Sequence, residues 1–598
     1  MDRKGKIAVA LAVFAFLLWN FYYSRVTEEY RKQQAASTAV AGVENPAAGG
    51  TLVAGAVAGG ELKGAQPPVA AGGSASAQAG STAPAPGEPK RVEKVVVGGV
   101  EWHFTNVGGG LERVVLQNHR GEGDGPIVLN EFGGVPVGAL TEAFENPVLD
   151  SYAMERGAEG KEMTFRRVDA RQLEVVKKFR VGGGADAGGK GDSYVLDLEV
   201  RFTNRSAGAV TVPNYAVRLG SGVPLHAKDL PTYTGINRML GGASKFKDVS
   251  SFRSGGFLGI GSQEVPLWSE SGAVTWAGVT NQYYSTIVAP VGAAGSEVLA
   301  RRVAISEADW KSFGRSGLSS TPLFGVEGAL RMPMTTLDAG KEHVQRYQIF
   351  AGPREHRLLS ALGGGQEQML DFGMFSVVSR VLLSSMNGLK GLLGSYAAAI
   401  VVLTLIIKSL MWPLQNKATA SMKKMQALQP KMNELKEKYG NDPQRMNQEL
   451  LGLYKKHGVN PMSGCFPMLI QIPIFFGFYN MLGKAVELRN SAFLWVKDLS
   501  QPDTVAMVLG YPVNVLPIVM AATMLWQMRL TPKTGDPVQQ RMFMFMPLIM
   551  IVFCYNFASA LALYWTVQNL FSVVQLWVTN RQAAVGAQSV IASPSKRK

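Results

Sequence analysis

Residues 397–413 read AAAIVVLTLIIKSLMWP, an apolar run of 17 residues and the short end of what a bilayer-spanning helix needs. One side chain in it does not belong in lipid: Lys408. A cation within a span costs several kcal/mol and usually faces a polar cavity or partner. Lys408 also lies toward the end of the run, where a lysine can snorkel to the interface. Three features favour the cavity. Thr404 stands one helical turn away on the same face, further apolar runs follow the next polar segment closely, and the last of them, residues 561–578, carries its own polar face.

The chain has 598 residues, 46% of them hydrophobic, and a mean hydropathy of +0.06, high for a soluble protein. The apolar content is concentrated at the N-terminus and after residue 396, which indicates a membrane protein with a soluble insert. Only two cysteines occur, Cys465 and Cys554, both in apolar runs. The insert therefore has no disulfide and no cysteine-held metal or redox centre.

Residues 1–24 place Arg3, Lys4 and Lys6 before an apolar stretch with no small-residue cleavage site after it. This predicts an uncleaved signal anchor with its basic end in the cytoplasm. Residues 25–90 form a flexible linker, rich in Ala, Gly, Ser and Pro and without the large apolar residues a core requires. Residues 91–352 show short alternating runs broken by glycine, the pattern of a β-sandwich. At this length it is an extended or double one, and it lies outside the cytoplasm. Residues 177–192, with GGGADAGGKG, read as a hairpin loop. His103, His119, His226 and His343 have no metal-ligand spacing. The glycines at 108–110 lie between strands with no helix following, which disfavours a phosphate loop. A binding or spacer role is favoured for the sandwich. In residues 353–395, Phe372, Phe375, Val378, Leu382 and Leu389 predict a linker and an interfacial amphipathic helix, with a buried core helix as the alternative.

Residues 416–460 predict a helical hairpin. Met422, Met425, Met432, Leu435 and Tyr439 form one apolar stripe, and Met446, Leu450, Leu453 and Tyr454 another. Asp442 caps the second helix with Pro443 at its first position. Spans are expected at about 462–482, 513–528, 542–555 and 561–578, the 542–555 crossing being short. The N-terminus, the hairpin, the 529–541 loop and the tail with Lys596, Arg597 and Lys598 are basic. The 483–512 loop is nearly balanced and the 556–560 turn uncharged. This agrees with the positive-inside rule and accounts for the net charge of +15 without nucleic acid. Tyr564, Gln568, Ser572 and Gln575 align on one face of the last span, and Gln471 and Asn480 stand on the third crossing. Interhelical hydrogen bonding accounts for any one of them; the aligned set together with Lys408 fits a water-filled groove better.

The stretches IIKSLMWPL, LQPKMNELKEKYGND, NPMSGCFPMLIQIPIFFGFYNML, DPVQQRMFMFMPLIM and ASALALYWTVQNLFSVVQ closely resemble the YidC membrane protein insertase family, nearly continuously over residues 370–581. WAGVTNQYYSTIVAP and RYQIFAGP are similar, more weakly, to the periplasmic domain of the Gram-negative form. The resemblance implies an α+β membrane protein: an N-terminal signal-anchor helix, a large periplasmic antiparallel β-sandwich of extended or super-sandwich type, and a five-helix transmembrane bundle (residues 396–582) with a cytoplasmic helical hairpin, ending in a basic cytoplasmic tail (583–598). It implies an inner-membrane insertase and chaperone, not an enzyme, with no cofactor, metal or catalytic residue. Its partners are nascent membrane proteins, the ribosome, the SecYEG translocon and the lipid bilayer. The family's intramembrane cation is usually arginine; the matching residue is Lys408, which keeps charge but loses the planar five-donor fork. The substrate groove expected here comprises Lys408, Thr404, Gln471, Gln527, Tyr564, Trp565, Gln568 and Ser572, and a substrate-contacting slide comprises Cys465, Phe466, Phe475 and Phe476. Two other classes compete. A secondary transporter or channel is disfavoured by the lack of an internal repeat and of intramembrane acids. A membrane-anchored periplasmic enzyme acting on sugars would need paired carboxylates in a pocket. Because the linker decouples the sandwich from its anchor, deletion of residues 92–321 is expected to leave insertion intact.

Overall fold

The computed structural model describes residues 89–591 except 122–124, 133, 183–191, 228, 255–262, 313–322, 440–441, 459–465, 510 and 532–543. The expected signal anchor and almost all of the linker lie outside these residues, as does the end of the tail. The described elements belong to one compact unit.

Residues 92–353 are built on two large antiparallel sheets, with two small two-stranded ones beside them among the described residues. A four-stranded sheet runs Val92–Val97, Val100–Thr105, Gly110–Arg120 and Pro126–Leu129 in that order. The larger sheet has 13 strands, and its centre is formed by Trp268–Thr280, Tyr284–Val291, Glu342–Pro353, Val195–Asn204 and Leu173–Val181 as successive neighbours. Alternation along these strands sends one face inward. The two sheets meet through Trp102 and Phe104 of the small sheet and Phe165 and Phe179 of the large one, all fully buried. The Phe104 and Phe179 rings meet edge-on at 5.4 Å. Each such side chain contributes on the order of 1.5–3 kcal/mol by leaving water.

The predicted loop at 177–192 differs from the structure. The strand Leu173–Val181 continues through Lys177, and residues 183–191 lie outside those described. Lys177 sits on the inward face between Val175 and Phe179 and is completely buried. Its ammonium donates to the Gly108 carbonyl at 2.7 Å and the Gly138 carbonyl at 3.3 Å, with the Tyr152 ring 4.5 Å away. Gly108 and Gly138 both hold positive φ, +76° and +78°; this left-handed backbone is cheap only for glycine. The glycine stretch thus serves a buried cation. Burial pushes the Lys177 ammonium well below the usual lysine range.

The helices follow. Helix α1 (Glu307–Ser312) interrupts the sheet, and α2 (His356–Ala361) follows the last strand of the large sheet. Then come α3 (Ser376–Leu393), α4 (Tyr396–Ala427), α5 (Gln429–Tyr439), α6 (Pro443–Lys456), α7 (Phe466–Lys484), α8 (Val515–Leu530), α9 (Met546–Cys554) and α10 (Ser559–Ile591). Gly394 ends α3 in a left-handed C-cap, and the Ser395 hydroxyl caps α4 by accepting from Ala398 N. One difference from expectation is that α4 does not stop at Pro413. It runs on through the proline to Ala427, so the apolar run and the first part of the basic hairpin are one helix. Asp442 caps α6 by accepting from Arg445 N at 3.1 Å.

The sheets and helices are clamped together. The wholly buried Arg354 guanidinium donates to the carbonyls of Asn281 (2.9 Å) and Met369 (2.8 Å). Gln282 donates to the Gly483 carbonyl at 2.7 Å. Arg489 reaches the Arg120 carbonyl at 2.8 Å and lies 5.0 Å from the Tyr283 ring centre. One apolar cluster joins Trp276, Ile287 and Phe350 of the sheet to Leu382, Ile400, Phe478 and Tyr564 of the helices.

Candidate functional site: a polar seam between three helices

Helix α4 buries Ile400, Thr404 and Lys408, one face at four-residue spacing. Its other face is apolar and open: Leu410 is 74% exposed and Ile406 45%. The helix therefore turns a cation inward and leucine outward. Water favours the opposite arrangement. Among the described residues α4 is the one helix both long and apolar enough to cross a membrane; α8 is apolar but shorter.

The buried face of α4 meets α10, and between them a polar row forms. Lys408 Nζ donates to Ser572 Oγ at 3.3 Å. Ser572 Oγ donates back to the Gln568 carbonyl at 2.9 Å, one turn earlier on α10. Gln471, on α7, donates through Nε2 to the Tyr564 hydroxyl and to Gln568 Oε1, each at 3.1 Å. The row thus runs from α7 across α10 to α4. Lys408, only 6% exposed, is buried with Ser572 and Tyr564, while Gln471 and Gln568 are half-buried at the mouth. An ammonium has three donors. Among the described residues Lys408 has one hydrogen-bond acceptor and no ion-pair partner.

The aromatic residues lie beside the mouth. Phe475 and Trp565 meet edge-on at 4.8 Å, and Phe478 stacks on Tyr564 at 4.1 Å. Phe476 is 43% exposed and stacks on Phe375 of the segment before α3. Of the twelve site residues expected from the sequence, Lys408, Gln471, Tyr564, Gln568 and Ser572 are brought into the hydrogen-bonded row, and Trp565, Phe475 and Phe476 flank it. Thr404 is buried one turn from Lys408, but its hydroxyl donates to the Ile400 carbonyl at 2.7 Å, closing on its own helix. Gln527 stands half-buried on α8, outside the row, its carbonyl accepting from Thr531 at 2.9 Å. Cys465 and the side chain of Phe466 lie outside the described residues.

The sequence reading did not single out Asn416, Asn569 or Thr523. Gln575 and Thr579 donate to Asn416 Oδ1 at 3.2 and 3.4 Å, tying α10 to α4 beyond the proline. Asn569 donates to Thr523 Oγ1 at 3.2 Å, tying α10 to α8. Asn569 directly follows Gln568 and so points away from the stripe; a search for two polar faces on one apolar helix would have found it.

For α3 the sequence allows an interfacial or a buried helix. Leu382, Leu383 and Met386 are buried, while Val377 and Val381 are exposed, so both faces carry apolar side chains. Its buried face touches α7, where Ser379 Oγ donates to the Gly477 carbonyl at 3.0 Å.

The chain is similar to proteins of known role along its whole length. The family model for the 60Kd inner membrane protein matches residues 388–586, and that for the YidC periplasmic domain matches residues 99–384. The membrane protein insertase YidC of Syntrophus aciditrophicus is 30% identical over 604 residues, covering 98% of this chain and 100% of that protein. That of Pelobacter propionicus is 31% identical, covering 97% of this chain and 99% of that protein. Among solved structures, an active YidC insertase with its first transmembrane domain resolved is 19% identical, covering 83% of this chain and 95% of that one, at a TM-score of 0.33. With a β-rich region under the periplasmic-domain match and a helical C-terminal region under the inner-membrane-protein match, the chain belongs to the YidC family of membrane protein insertases.

Proposed function

We propose that the chain inserts and helps fold membrane proteins of the inner membrane through the seam between α4, α7 and α10, with Lys408 as its working charge. The observation that carries this reading is a buried ammonium with a single acceptor at 3.3 Å. A buried cation without a carboxylate is unfavourable by several kcal/mol, and a fold that retains one keeps donors open for something that arrives. A short client brings an extracytoplasmic tail across the apolar layer, often with Asp or Glu. The open donors of Lys408 lower the cost of a carboxylate passing close by. Gln471 and Gln568 at the mouth offer amide groups to the client backbone, and Phe475, Phe476 and Trp565 give its apolar segment a surface on which to slide. The hydrogen bonds from Gln471 and Lys408 to α10 can be exchanged for bonds to a client, while the Phe475–Trp565 and Phe478–Tyr564 ring contacts keep α7 on α10.

In this reading α4, α7, α8, α9 and α10 each cross the membrane. The outward apolar side chains of α4 and α9, including Leu410 and Val552, support it, as does the distribution of basic loops. The N-terminus and the α5–α6 hairpin then lie in the cytoplasm and the sheets in the periplasm. The hairpin packs in part on itself, the Tyr454 hydroxyl reaching Met432 Sδ at 3.6 Å. Leu451 stays exposed, and the surplus of lysine and arginine suits a ribosome or acidic lipid. Partnership with SecYEG belongs to this proposal too. The test is depletion of the protein and rescue with the whole chain, scoring insertion of a panel of small membrane proteins. Rescue by the chain and its loss with Lys408→Ala at equal protein level is the expected result. Full rescue by Lys408→Ala for every client would sink the seam mechanism.

A further inference from the structure

Between α7 and α8 the chain makes a two-stranded hairpin that belongs to neither large sheet: Thr504–Val508 pairs antiparallel with Tyr511–Asn514. Its base is held firmly. Thr504 Oγ1 donates to Asn514 Oδ1 at 2.7 Å, and Asn514 Nδ2 donates to the Tyr555 carbonyl at 2.6 Å. The Tyr555 hydroxyl donates to the Pro512 carbonyl at 2.6 Å. Asp503 accepts from Leu516 N at 2.6 Å and from Trp495 Nε1 at 3.0 Å. The hairpin is thereby fixed to the first turn of α8 and the residue after α9.

Its tip has the composition of a core and the exposure of a surface. Met507, Val508, Leu509 and Tyr511 are all more than half exposed, and Leu509 is 94% exposed. Leu509 also holds φ +52° in the turn, where glycine or asparagine is the cheaper choice. A leucine there gives up backbone ease and gains only an apolar side chain, which water does not reward. No charged residue occurs from Thr504 to Met528, so the uncharged stretch runs without a break from the hairpin into α8. Edge strands that face water carry charges or proline against aggregation; the first strand here carries neither. A tyrosine at the tip and Trp495 at the base, bonded to Asp503, are the aromatic types enriched at a membrane–water boundary.

We propose that the hairpin Thr504–Asn514 is a membrane-seated wedge whose partner is the lipid of the periplasmic leaflet. The proposal rests on the reading that α8 and α9 cross the bilayer. The hairpin would then stand at their periplasmic end, beside the short crossing at 542–555. The described helix of that crossing, α9, has 9 residues and spans about 14 Å, against a hydrocarbon layer of about 30 Å. An apolar wedge fixed to the end of that crossing fills part of the difference and keeps headgroups from closing over the periplasmic end of the seam.

The test uses the whole chain, purified and reconstituted into vesicles of phosphatidylethanolamine and phosphatidylglycerol. Single cysteines are added as Met507→Cys, Leu509→Cys, Val552→Cys and Val148→Cys and labelled with an environment-sensitive fluorophore, with labelling of the unsubstituted chain subtracted. The labels at 507 and 509 are expected to be quenched by spin-labelled lipid, as at 552, and to lose the iodide quenching seen at 148. Iodide quenching at 507 and 509 with lipid quenching at 552 would overturn the wedge and leave the crossings standing. Iodide quenching at 552 as well would remove both. Shielding of 507 and 509 from iodide and lipid alike would assign the hairpin to a protein contact and overturn the proposal too.

Discussion

At the scale of single residues, two lysines are buried among the described residues, with different surroundings. Lys177 has two carbonyls and an aromatic ring within reach, as a cation in a packed core requires. Lys408 has one hydroxyl. The mechanism proposed for Lys408 needs charge rather than guanidinium geometry, since a client must also leave and the attraction to its carboxylate has to stay modest, on the order of a few kcal/mol at most. Lys408→Arg is therefore expected to insert clients normally. Lys408→Ala and Lys408→Glu are expected to fail most for clients with acidic tails. Insertion measured at matched protein levels checks this, and equal insertion of acidic and neutral tails by Lys408→Ala would exclude the charge mechanism. A second residue gives a pH test outside the membrane. Burial, with the Glu355 carboxylate nearby, pushes the Glu487 carboxyl up to about 7 from its usual 4.5. The folded state then prefers the neutral acid. Its contribution to stability is fully present below about pH 4.5 and falls as pH rises, the loss being complete above about 7. Glu487→Gln is expected to raise stability at pH 7.5 on the order of 1–2 kcal/mol, discounted for partial solvent screening. It is also expected to flatten the slope of thermal unfolding against pH in that window. An unchanged slope would place the charge in water.

At the scale of elements, α3 and α7 approach closely at Gly477. A methyl group added at Gly477 would stand 2.8 Å from Val378 Cγ1 and 3.3 Å from Leu382 Cδ1, so the helices would have to move apart. Gly477→Ala is expected to destabilise by about 1–3 kcal/mol, and Gly477→Leu by more, measured as thermal unfolding in detergent. Ser379, bonded to the Gly477 carbonyl, sits in the same contact, so the double variant Gly477→Ala/Ser379→Ala should cost less than the sum of the two. The break between α4 and α5 falls at Leu428. The helix that carries Lys408 continues to Ala427, so the α5–α6 hairpin follows directly from the helix that lines the seam.

For the whole molecule, the sheets rest on the helices through Arg354, Gln282, Tyr283 and Arg489. Deletion of residues 92–321 removes Trp268–Thr280 and Tyr284–Val291 but leaves Leu323–Arg331 and Glu342–Pro353 without their neighbours. Those orphaned edges are templates for aggregation. That deletion is therefore expected to lower protein level, whereas replacement of residues 92–181 alone removes the Arg489–Arg120 contact but keeps the clamps made by Arg354 and Gln282. If the sheets serve only as a spacer, insertion per molecule stays the same in both. A stable, correctly located and inactive variant would give the sheets a part in insertion.

The chain's local pattern determined a good deal by itself. Period-two runs marked the strands, apolar runs marked the helices, and Lys408 stood out because a cation interrupted an otherwise apolar segment. Tyr564, Gln568 and Ser572 aligned because helical spacing puts them on one face whatever surrounds it. The tertiary structure decided which faces meet. Ser572 lies 164 residues from Lys408, and nothing in either segment names the other. Thr404 shares the face of Lys408 yet bonds to its own backbone, because a threonine hydroxyl finds the carbonyl four residues back without help from a neighbour. Lys177 lay beside a glycine-rich stretch and looked like a loop residue; only two distant glycine carbonyls, turned inward by left-handed backbone, show why a lysine stands in the core. Spacing along the chain encodes the face a residue occupies, while the partner on that face is set by packing between elements far apart in sequence.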